Sequence, residues 1–140
     1  METLGDPKLK EVKDVTKRFL TTLRGGDAVE FFSFLDNEYI GDDTELITPS
    51  GEFVRGEQLM PFYHEFFDPL FESFDADGGF YNEEYTVAGH LAVHKYSYKL
   101  ILKPKEGGEL VTEIGHGIKT YKKYHDGSWR LQYDIWVNPE

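Results

Sequence analysis

The C-terminal third of the chain alternates apolar and polar residues in three long runs, which predicts three β-strands. The runs cover residues 91–103, 110–124 and 129–137, and turn residues separate them. The last turn contains Asp126-Gly127, and Asp-Gly between alternating runs is the strongest short-range signal of a β-hairpin. The runs exceed the usual strand length of about five or six residues, so we expect the strands to bend. A bent sheet covered by helices would enclose a pocket.

The N-terminal part repeats its apolar residues with a helical period. Apolar residues between positions 9 and 23 fall on one stripe, which predicts a helix that ends at Gly25-Gly26. Asp27, with Glu30 three residues later, has the pattern of a capping box and predicts a second helix through Leu35. An extended segment over residues 39–48 should follow.

A third helical pattern starts near Gly56 and runs to Phe74. Pro69 lies inside it, so we expect the helix to kink or split there. Residues 75–79 are expected to form a loop, and residues 80–88 the first strand of the large sheet. The pattern predicts one α+β domain over residues 1–140: a cone-shaped, curved antiparallel (mixed) β-sheet covered on its concave face by about three N-terminal helices.

The amino-acid composition excludes several classes of function. The net charge is −11, which argues against a nucleic-acid partner because nucleic-acid binding depends on phosphate neutralisation. The absence of cysteine excludes disulfides and thiol catalysis. No apolar run has the length of a membrane span and residues 1–10 lack a signal-peptide pattern, so we expect a cytoplasmic protein without a membrane partner.

Hairpin pairing assigns residues to the two faces of the sheet. With a two-residue turn, Tyr124 pairs with Trp129 and Thr120 pairs with Tyr133, and directly opposite residues share a face. We expect the more apolar face to point inward. It would carry Ile114, His116, Ile118, Thr120, Leu131, Tyr133 and Ile135, with His94, Tyr96, Tyr98, Leu100 and Leu102 from the preceding strand.

A histidine–tyrosine group on this inner face is the predicted catalytic centre. His116 should lie near Tyr96 or Tyr98, because the length of the loop leaves the register open by two residues. Histidine acts as an acid or base near neutral pH, and tyrosine donates a hydrogen bond to a carbonyl or enolate. The alternative is a structural pair, since buried polar groups commonly satisfy one another. His94 is predicted to line the pocket nearer the sheet edge.

The opposite face of the sheet is predicted to be charged and solvated. Lys119 and Asp134 would form a cross-strand pair there. Trp136 should lie opposite Gly117, where it either covers the glycine or anchors a dimer. We predict a homodimer through this outer face, with Trp136 and Tyr121 in the interface.

No metal site or cofactor is expected. Residues 75–79 hint at a calcium loop, but Thr86 stands where such a loop needs a bidentate glutamate. The histidines also lack a compact metal-ligand spacing.

Several segments in order resemble the nuclear transport factor 2-like superfamily, closest to SnoaL-like polyketide cyclases and ketosteroid isomerase-like proteins. These segments are residues 19–27, 48–51, 54–57, 59–63, 87–92 and 126–129. The resemblance implies a cone-shaped α+β barrel, frequent homodimers and a deep apolar pocket. The superfamily includes isomerases, cyclases, dehydratases, epoxide hydrolases and binding modules without catalysis, so the fold alone does not decide the function.

The chain departs from the ketosteroid isomerases at their catalytic positions. Thr48 stands where the resemblance places the general-base aspartate, and Phe19 where it places the oxyanion tyrosine. The second acid would fall near Lys119 or Thr120. Steroid isomerisation by that mechanism is therefore not expected.

Two functions remain open from the sequence. The first is a pocket for an apolar carbonyl compound, with cofactor-independent isomerisation, cyclisation or dehydration. His116 would then be the acid or base, Tyr96 or Tyr98 the electrophile, and Phe19, Thr48, Tyr63, Phe67, His94, Thr120 and Tyr133 the substrate-binding residues. The second is a ligand-binding, dimerisation or protein-interaction module of the same fold without catalysis.

Overall fold

The computed structural model describes residues 7–139. Three α-helices lie in this range: α1 (Pro7–Arg24), α2 (Ala28–Phe34) and α3 (Leu59–Ser73). A π-helical turn, Leu35–Tyr39, follows α2, and a 3-10 turn, Gly56–Gln58, precedes α3. The six strands are β1 (Ile40–Ile47), β2 (Phe53–Arg55), β3 (Phe74–Ala88), β4 (Leu91–Pro104), β5 (Val111–Lys123) and β6 (Trp129–Val137).

The strands form one mixed, curved sheet in the order β2-β1-β6-β5-β4-β3. β1 pairs parallel to β6, and every other neighbouring pair is antiparallel. The predicted α+β architecture, with N-terminal helices against a curved sheet, is confirmed. None of the helices among residues 7–139 combines the length and hydropathy that a membrane crossing requires.

Aromatic residues from all three helices build the core. Phe31 of α2 is fully buried. Its ring centre lies 5.6 Å from that of Phe19 on α1 and 4.8 Å from that of Phe67 on α3. These contacts bury large apolar surfaces and lock the three helices together on the sheet.

The N-terminus of α2 is capped as its sequence predicts. The Asp27 side chain accepts a hydrogen bond from the backbone N–H of Glu30 at 3.2 Å. Asp27→Ala should lower the free energy of unfolding by about 1 kcal/mol, because a helix N–H loses its acceptor. Urea denaturation measures this change. Glu65→Ala, at an exposed acidic position inside α3, is the control and should change stability by less than about 0.5 kcal/mol.

The predicted split of the third helix at Pro69 and the predicted loop over residues 75–79 are wrong. Pro69 lies inside a continuous α3. Pro69 has no N–H to donate to the carbonyl of Glu65, but both residues are exposed to solvent. Phe67 and Leu70 pack on the core on either side of Pro69. Residues 75–79 are not a loop, because β3 begins at Phe74 and residues 74–81 pair continuously with β4.

A β-bulge in β6 reverses the faces that simple alternation predicts. Thr120 pairs with Tyr133 as predicted, but Tyr121 pairs with Leu131, so Gln132 is an extra residue in β6. Trp129 consequently pairs with Lys123 instead of Tyr124. A bulge of one residue moves all later side chains of its strand to the opposite face.

The inward face of β5 and β6 therefore differs from the predicted one. Leu131 is buried as predicted, but Ile114, Ile118, Tyr133 and Ile135 are more than 40% exposed on the outer face. The inward positions belong to Lys119 and Tyr121 on β5 and to Asp134 and Trp136 on β6. The prediction holds for β4, where Tyr96, Leu100 and Leu102 are buried.

Candidate functional site

A cavity of about 120 Å³ lies between the helices and the inner face of the sheet. Its wall is mostly aromatic and aliphatic, with charged side chains from Arg24, Asp77, Lys99, Lys119 and Asp134. α1 contributes Phe19, α3 contributes Tyr63 and Phe67, and β4 contributes Tyr96 and Tyr98. The apolar part of this wall strengthens electrostatic interactions between the groups beside it.

Four polar side chains meet at the inner end of the cavity, and we call them the polar cluster: Tyr39, Tyr96, Lys119 and Asp134. The Tyr96 hydroxyl donates a hydrogen bond of 2.7 Å to the Asp134 carboxylate. The Lys119 ammonium donates one of 2.8 Å to the Tyr39 hydroxyl and lies 3.8 Å from the Asp134 carboxylate. The cluster therefore combines a carboxylate base with hydrogen-bond donors in an apolar surrounding.

Glycine makes room for this arrangement. Gly117 on β5 lies opposite both Tyr96 on β4 and Trp136 on β6. A Cβ atom at Gly117 would lie 2.5 Å from the Tyr96 hydroxyl oxygen and 2.6 Å from the carbonyl oxygen of Ile135. The missing side chain therefore lets Tyr96 extend across β5 to Asp134.

The π-helical turn after α2 places the second tyrosine. Tyr39 is the last residue of this turn and is 1% exposed. π-helical turns are rare and frequently occur at functional sites. The Tyr39 hydroxyl also lies 3.5 Å from that of Tyr121, which lies 3.2 Å from the Thr16 hydroxyl. A buried line of polar groups thus extends from Lys119 to α1.

Burial shifts the ionisation of the cluster. Desolvation raises the pKa of Asp134, although the Lys119 charge and the Tyr96 hydrogen bond oppose this rise. Desolvation also raises the pKa values of Tyr39 and Tyr96, and the Asp134 charge adds to both. The two tyrosines therefore remain protonated donors near neutral pH, and Asp134 is a stronger base than an exposed aspartate.

Aromatic rings surround the ammonium of Lys119. Its nitrogen lies 4.6 Å from the ring centre of Phe19, 4.9 Å from that of Phe80 and 5.4 Å from that of Tyr96. The Tyr39 ring centre lies at 5.5 Å. Attraction between the cation and these ring faces helps to compensate for the loss of hydration.

The structure places half of the predicted site residues in this cavity. Phe19, Tyr63, Phe67, Tyr96 and Tyr98 line it. Tyr98 lies across Gly115, and its hydroxyl accepts a hydrogen bond from the Asn138 side chain.

Three other predicted residues lie on the wrong side of the sheet. His116, Thr120 and Tyr133 were placed on the inner face, but the bulge and the β4–β5 register turn them outward. His116 is exposed and shares a 2.7 Å hydrogen bond with the hydroxyl of Ser97, the residue opposite it. A catalytic role for His116 therefore loses its geometric basis.

Thr48 and His94 are buried but do not line the cavity. The Thr48 hydroxyl shares a hydrogen bond with Ser50 in the turn after β1. His94 is fully buried, and its Nε2 lies 2.9 Å from the Glu83 carboxylate.

Sequence reasoning missed Tyr39, Lys119 and Asp134 as site residues. Lys119 and Asp134 were correctly paired across the hairpin, but on the solvated face. The signal that could have found them is the glycine pair Gly115 and Gly117, because two glycines in one strand mark a face that bulky neighbours cover.

Filling the space at Gly117 tests the geometry. Gly117→Ala should lower the free energy of unfolding by about 1–3 kcal/mol, because the new methyl group meets the backbone carbonyl of Ile135 and displaces Tyr96 from Asp134. Chemical denaturation measures the change. Gly79→Ala is the matched control in the same cavity wall, since its nearest atom is 3.8 Å away. Equal effects of the two substitutions would contradict the proposed packing.

Solved structures show the same architecture. Aln2 from a Streptomyces species aligns with a TM-score of 0.77 and 14% identity, over 97% of this chain and 94% of its own. An NTF2-like superfamily protein from Salmonella enterica aligns with a TM-score of 0.70 and 17% identity, over 94% and 90%. The chain has the nuclear transport factor 2-like (NTF2-like) fold. The resemblance seen in the sequence is thus confirmed at the level of the fold.

Other proteins with the NTF2-like fold carry functional descriptions. One from Streptomyces avermitilis, a candidate dehydratase, aligns with a TM-score of 0.76 and 14% identity, over 94% of this chain and 95% of its own. A ketosteroid isomerase-like protein from Erwinia carotovora atroseptica aligns with a TM-score of 0.66 and 14% identity, over 96% and 98%. No family model and no curated protein matches the chain.

The predicted dimer residues do not lie on the outer face of the sheet. Tyr121 is fully buried in the core, and Trp136 lines the cavity. The bulge again explains the error for Trp136, and the opposite parity of β5 explains it for Tyr121.

Proposed function

We propose that the protein binds a small apolar carbonyl compound in this cavity and catalyses a cofactor-independent proton transfer, as in isomerisation, cyclisation or dehydration. The observation that carries the proposal is the Asp134 carboxylate, held by Tyr96 and Lys119 inside an aromatic cavity. Two structures with the same fold are described as a candidate dehydratase and as a ketosteroid isomerase-like protein. Both descriptions agree with this class of reaction.

In this mechanism, Asp134 is the general base. It removes a proton from the carbon next to the carbonyl group, and negative charge then develops on the carbonyl oxygen. The Lys119 ammonium and the protonated hydroxyl of Tyr96 or Tyr39 stabilise that charge by hydrogen bonding and Coulombic attraction. Asp134 and Lys119 are already adjacent before the substrate binds, whereas Tyr96 must turn away from Asp134 before it donates to the ligand.

The cavity size limits the substrate. A cavity of about 150 Å³ lined by apolar side chains accommodates benzene in another protein, so a volume of about 120 Å³ suits one six-membered ring or a short chain. Cyclohexanone and benzaldehyde are therefore suitable probes, with one carbonyl group and a compact apolar body.

Binding and proton transfer are measured separately. Titration with benzaldehyde should change the fluorescence of Trp136, which lines the cavity, and Trp136→Phe assigns the signal. Incubation with cyclohexanone in D₂O should exchange the protons beside the carbonyl group, as followed by NMR. Binding without protein-dependent exchange for a panel of ketones would reject catalysis and leave a binding module.

A binding module without catalysis is the second candidate. The polar groups of the cluster already satisfy one another: Tyr96 donates to Asp134, and Lys119 donates to Tyr39. A ligand must then compete with these internal hydrogen bonds. Native mass spectrometry of freshly purified protein would identify a ligand that is retained rather than turned over.

We further propose that the protein is a cytoplasmic homodimer through the outer face of the sheet. That face carries an apolar patch, which we call the outer patch: Val93, Ile114, Ile118, Tyr133, Ile135 and Val137. Each of these side chains is 40–56% exposed. A contiguous exposed apolar patch of this kind is typical of a protein interface, and it replaces the interface predicted around Trp136 and Tyr121.

A charge in the outer patch tests the dimer. Ile118 and Ile135 pair directly across β5 and β6. Ile118→Glu should weaken dimerisation about 30-fold or more, because a desolvated charge at the centre of an interface costs about 2 kcal/mol or more. Analytical ultracentrifugation measures the association. Val29→Glu, on α2 and 81% exposed, is the control; a monomeric wild-type protein would reject the proposal.

A further inference from the structure

We propose that Lys119 holds the ligand covalently: its amine condenses with an aldehyde or unhindered ketone to form a protonated imine. The inference rests on the carbonyl pocket proposed above and names the group that binds the ligand. It also restricts the substrate class to carbonyl compounds that an amine can attack, which excludes esters and amides as imine-forming ligands.

The first argument is the position of the Lys119 nitrogen. It lies at the cavity wall on a side chain that is 4% exposed. Of its three N–H groups, one donates to the Tyr39 hydroxyl and a second lies toward Asp134 at 3.8 Å. No third acceptor is found among residues 7–139. A carbonyl compound that enters the cavity therefore meets an ammonium with one N–H that has no acceptor among residues 7–139.

The second argument is the proton acceptor beside the amine. The Lys119 ammonium passes a proton to the Asp134 carboxylate, and the nitrogen electron pair then forms a bond to the carbonyl carbon. The second N–H proton moves to the oxygen, which gives a carbinolamine. Asp134 returns its proton to the departing hydroxyl group, so that water leaves and a C=N bond forms with a positive charge on nitrogen.

Imine formation by this route needs no other reactant. One ammonium and one carbonyl compound become one protonated imine and one water molecule, and the total charge is unchanged. Asp134 begins and ends as a carboxylate.

The third argument is that the surroundings suit the product. The protonated imine is a cation at the same nitrogen, so the rings of Phe19, Phe80 and Tyr96 and the Asp134 charge stabilise it as they stabilise the ammonium. Only 4% of the Lys119 side chain is exposed, which limits the access of the water that would hydrolyse the imine. The arrangement resembles other desolvated lysines that react with carbonyl compounds.

The imine would assist the proposed proton transfer. A protonated C=N bond withdraws electrons more strongly than a C=O bond and makes the neighbouring C–H group more acidic. Asp134, restored to its carboxylate form and still within the cluster, can then remove that proton. Lys119 and Asp134 would thus act in sequence on one bound molecule.

Reductive trapping tests the inference. The folded protein is incubated with benzaldehyde and sodium cyanoborohydride, and peptide mass spectrometry locates the benzyl group. Modification of Lys119 should be about 100-fold faster than that of exposed Lys95, because the bound carbonyl reaches Lys119 at a high effective concentration. Lys119→Arg keeps the positive charge and should lose this modification, whereas Lys95→Arg should not change it. Comparing Lys119 with Lys95 inside the wild-type protein keeps the test valid if a variant does not fold.

The outcomes separate this inference from the proposed function. If benzaldehyde changes Trp136 fluorescence but Lys119 is modified no faster than Lys95, the covalent step is wrong and the pocket remains. If no carbonyl probe binds, both proposals fail. Cyclohexanone exchange that persists in Lys119→Arg without trapping would also overturn the imine and leave Asp134 as a base acting on a hydrogen-bonded ketone.

Discussion

Asp134→Asn is expected to reduce protein-catalysed proton exchange of cyclohexanone by about 10²- to 10⁴-fold, the usual contribution of a positioned general base. Asparagine has nearly the same shape and still accepts the hydrogen bond from Tyr96, but its amide does not take up a proton near neutral pH. The loss should therefore appear in the rate of exchange more than in the binding of benzaldehyde.

The substitution also changes stability, and this effect must be measured beside the rate. Lys119 is 3% exposed, and loss of the Asp134 charge leaves its ammonium without the nearby anion. Removing one partner of a buried ion pair typically costs about 3–5 kcal/mol. Exchange is therefore compared at a temperature where thermal unfolding shows both proteins to be folded.

Asp77→Asn is the matched control for Asp134→Asn. Asp77 lies in the wall of the same cavity, but it is exposed, and within residues 7–139 its carboxylate accepts only the backbone N–H of Gly78. Its removal should leave the exchange rate within about twofold of the wild type, as for a surface position away from the chemistry. An equal loss in both variants would show that Asp134 is not the specific base.

The second large effect is a loss of stability in acid that depends on His94. His94 is fully buried. Desolvation, with the Lys119 charge as a smaller cause, lowers its pKa from 6.5 to about 3. The folded protein thus keeps His94 neutral at a pH where the unfolded chain protonates it.

The direction of the pH effect on stability follows from which state, folded or unfolded, binds the proton at His94. Above pH 6.5 both states hold His94 neutral, so this group makes no pH-dependent contribution. As the pH falls from 6.5 toward 3, only the unfolded state binds the proton, so unfolding becomes easier by about 1.4 kcal/mol per pH unit. At pH 4.5 the loss attributable to His94 is about 2.7 kcal/mol.

The groups around His94 explain why it stays neutral. The Lys119 charge lies opposite it on β5, the Tyr85 ring stacks on it at 4.2 Å, and Phe80 packs at its edge. Glu83 accepts the Nε2–H hydrogen bond and is the one anion in contact within the described part of the chain. Nδ1 is buried and has no partner among residues 7–139.

Urea denaturation between pH 7 and pH 4.5 measures this effect. His94→Gln should lose the His94 part of the pH slope, because glutamine does not ionise. The difference between the wild-type slope and the His94→Gln slope isolates the contribution of His94. If the wild-type protein and His94→Gln lose stability in parallel, Glu83 has kept His94 charged and the prediction is wrong.

The local elements were readable from the sequence because their signals are local. The apolar stripe over residues 9–23 and the Asp27 cap predicted α1 and the start of α2. The Asp126-Gly127 turn predicted the hairpin, including the pairing of Ile118 with Ile135 and of Thr120 with Tyr133. Hydrogen-bonded neighbours and periodicity carry this information within a few residues.

The site needed information that no short segment contains. A strand repeats its faces every two residues, so one extra residue at Gln132 was enough to exchange inside and outside in β6. The outer patch favoured the wrong assignment of faces, because Ile118 and Ile135 are apolar like core residues but are exposed. Lys119 and Asp134 pair across the hairpin, but Tyr39 comes from a distant part of the chain, and only the packing of the helices on the sheet brings it to them.

The sequence by itself determined the α+β class, the helices, the long hairpin and an aromatic pocket, since these follow from periodicity, capping and turn chemistry. The tertiary structure decided which face of β5 and β6 lines that pocket. It thereby replaced His116 with Lys119 and Asp134, because a bulge and the space above Gly117 depend on how the strands pair and what packs across them.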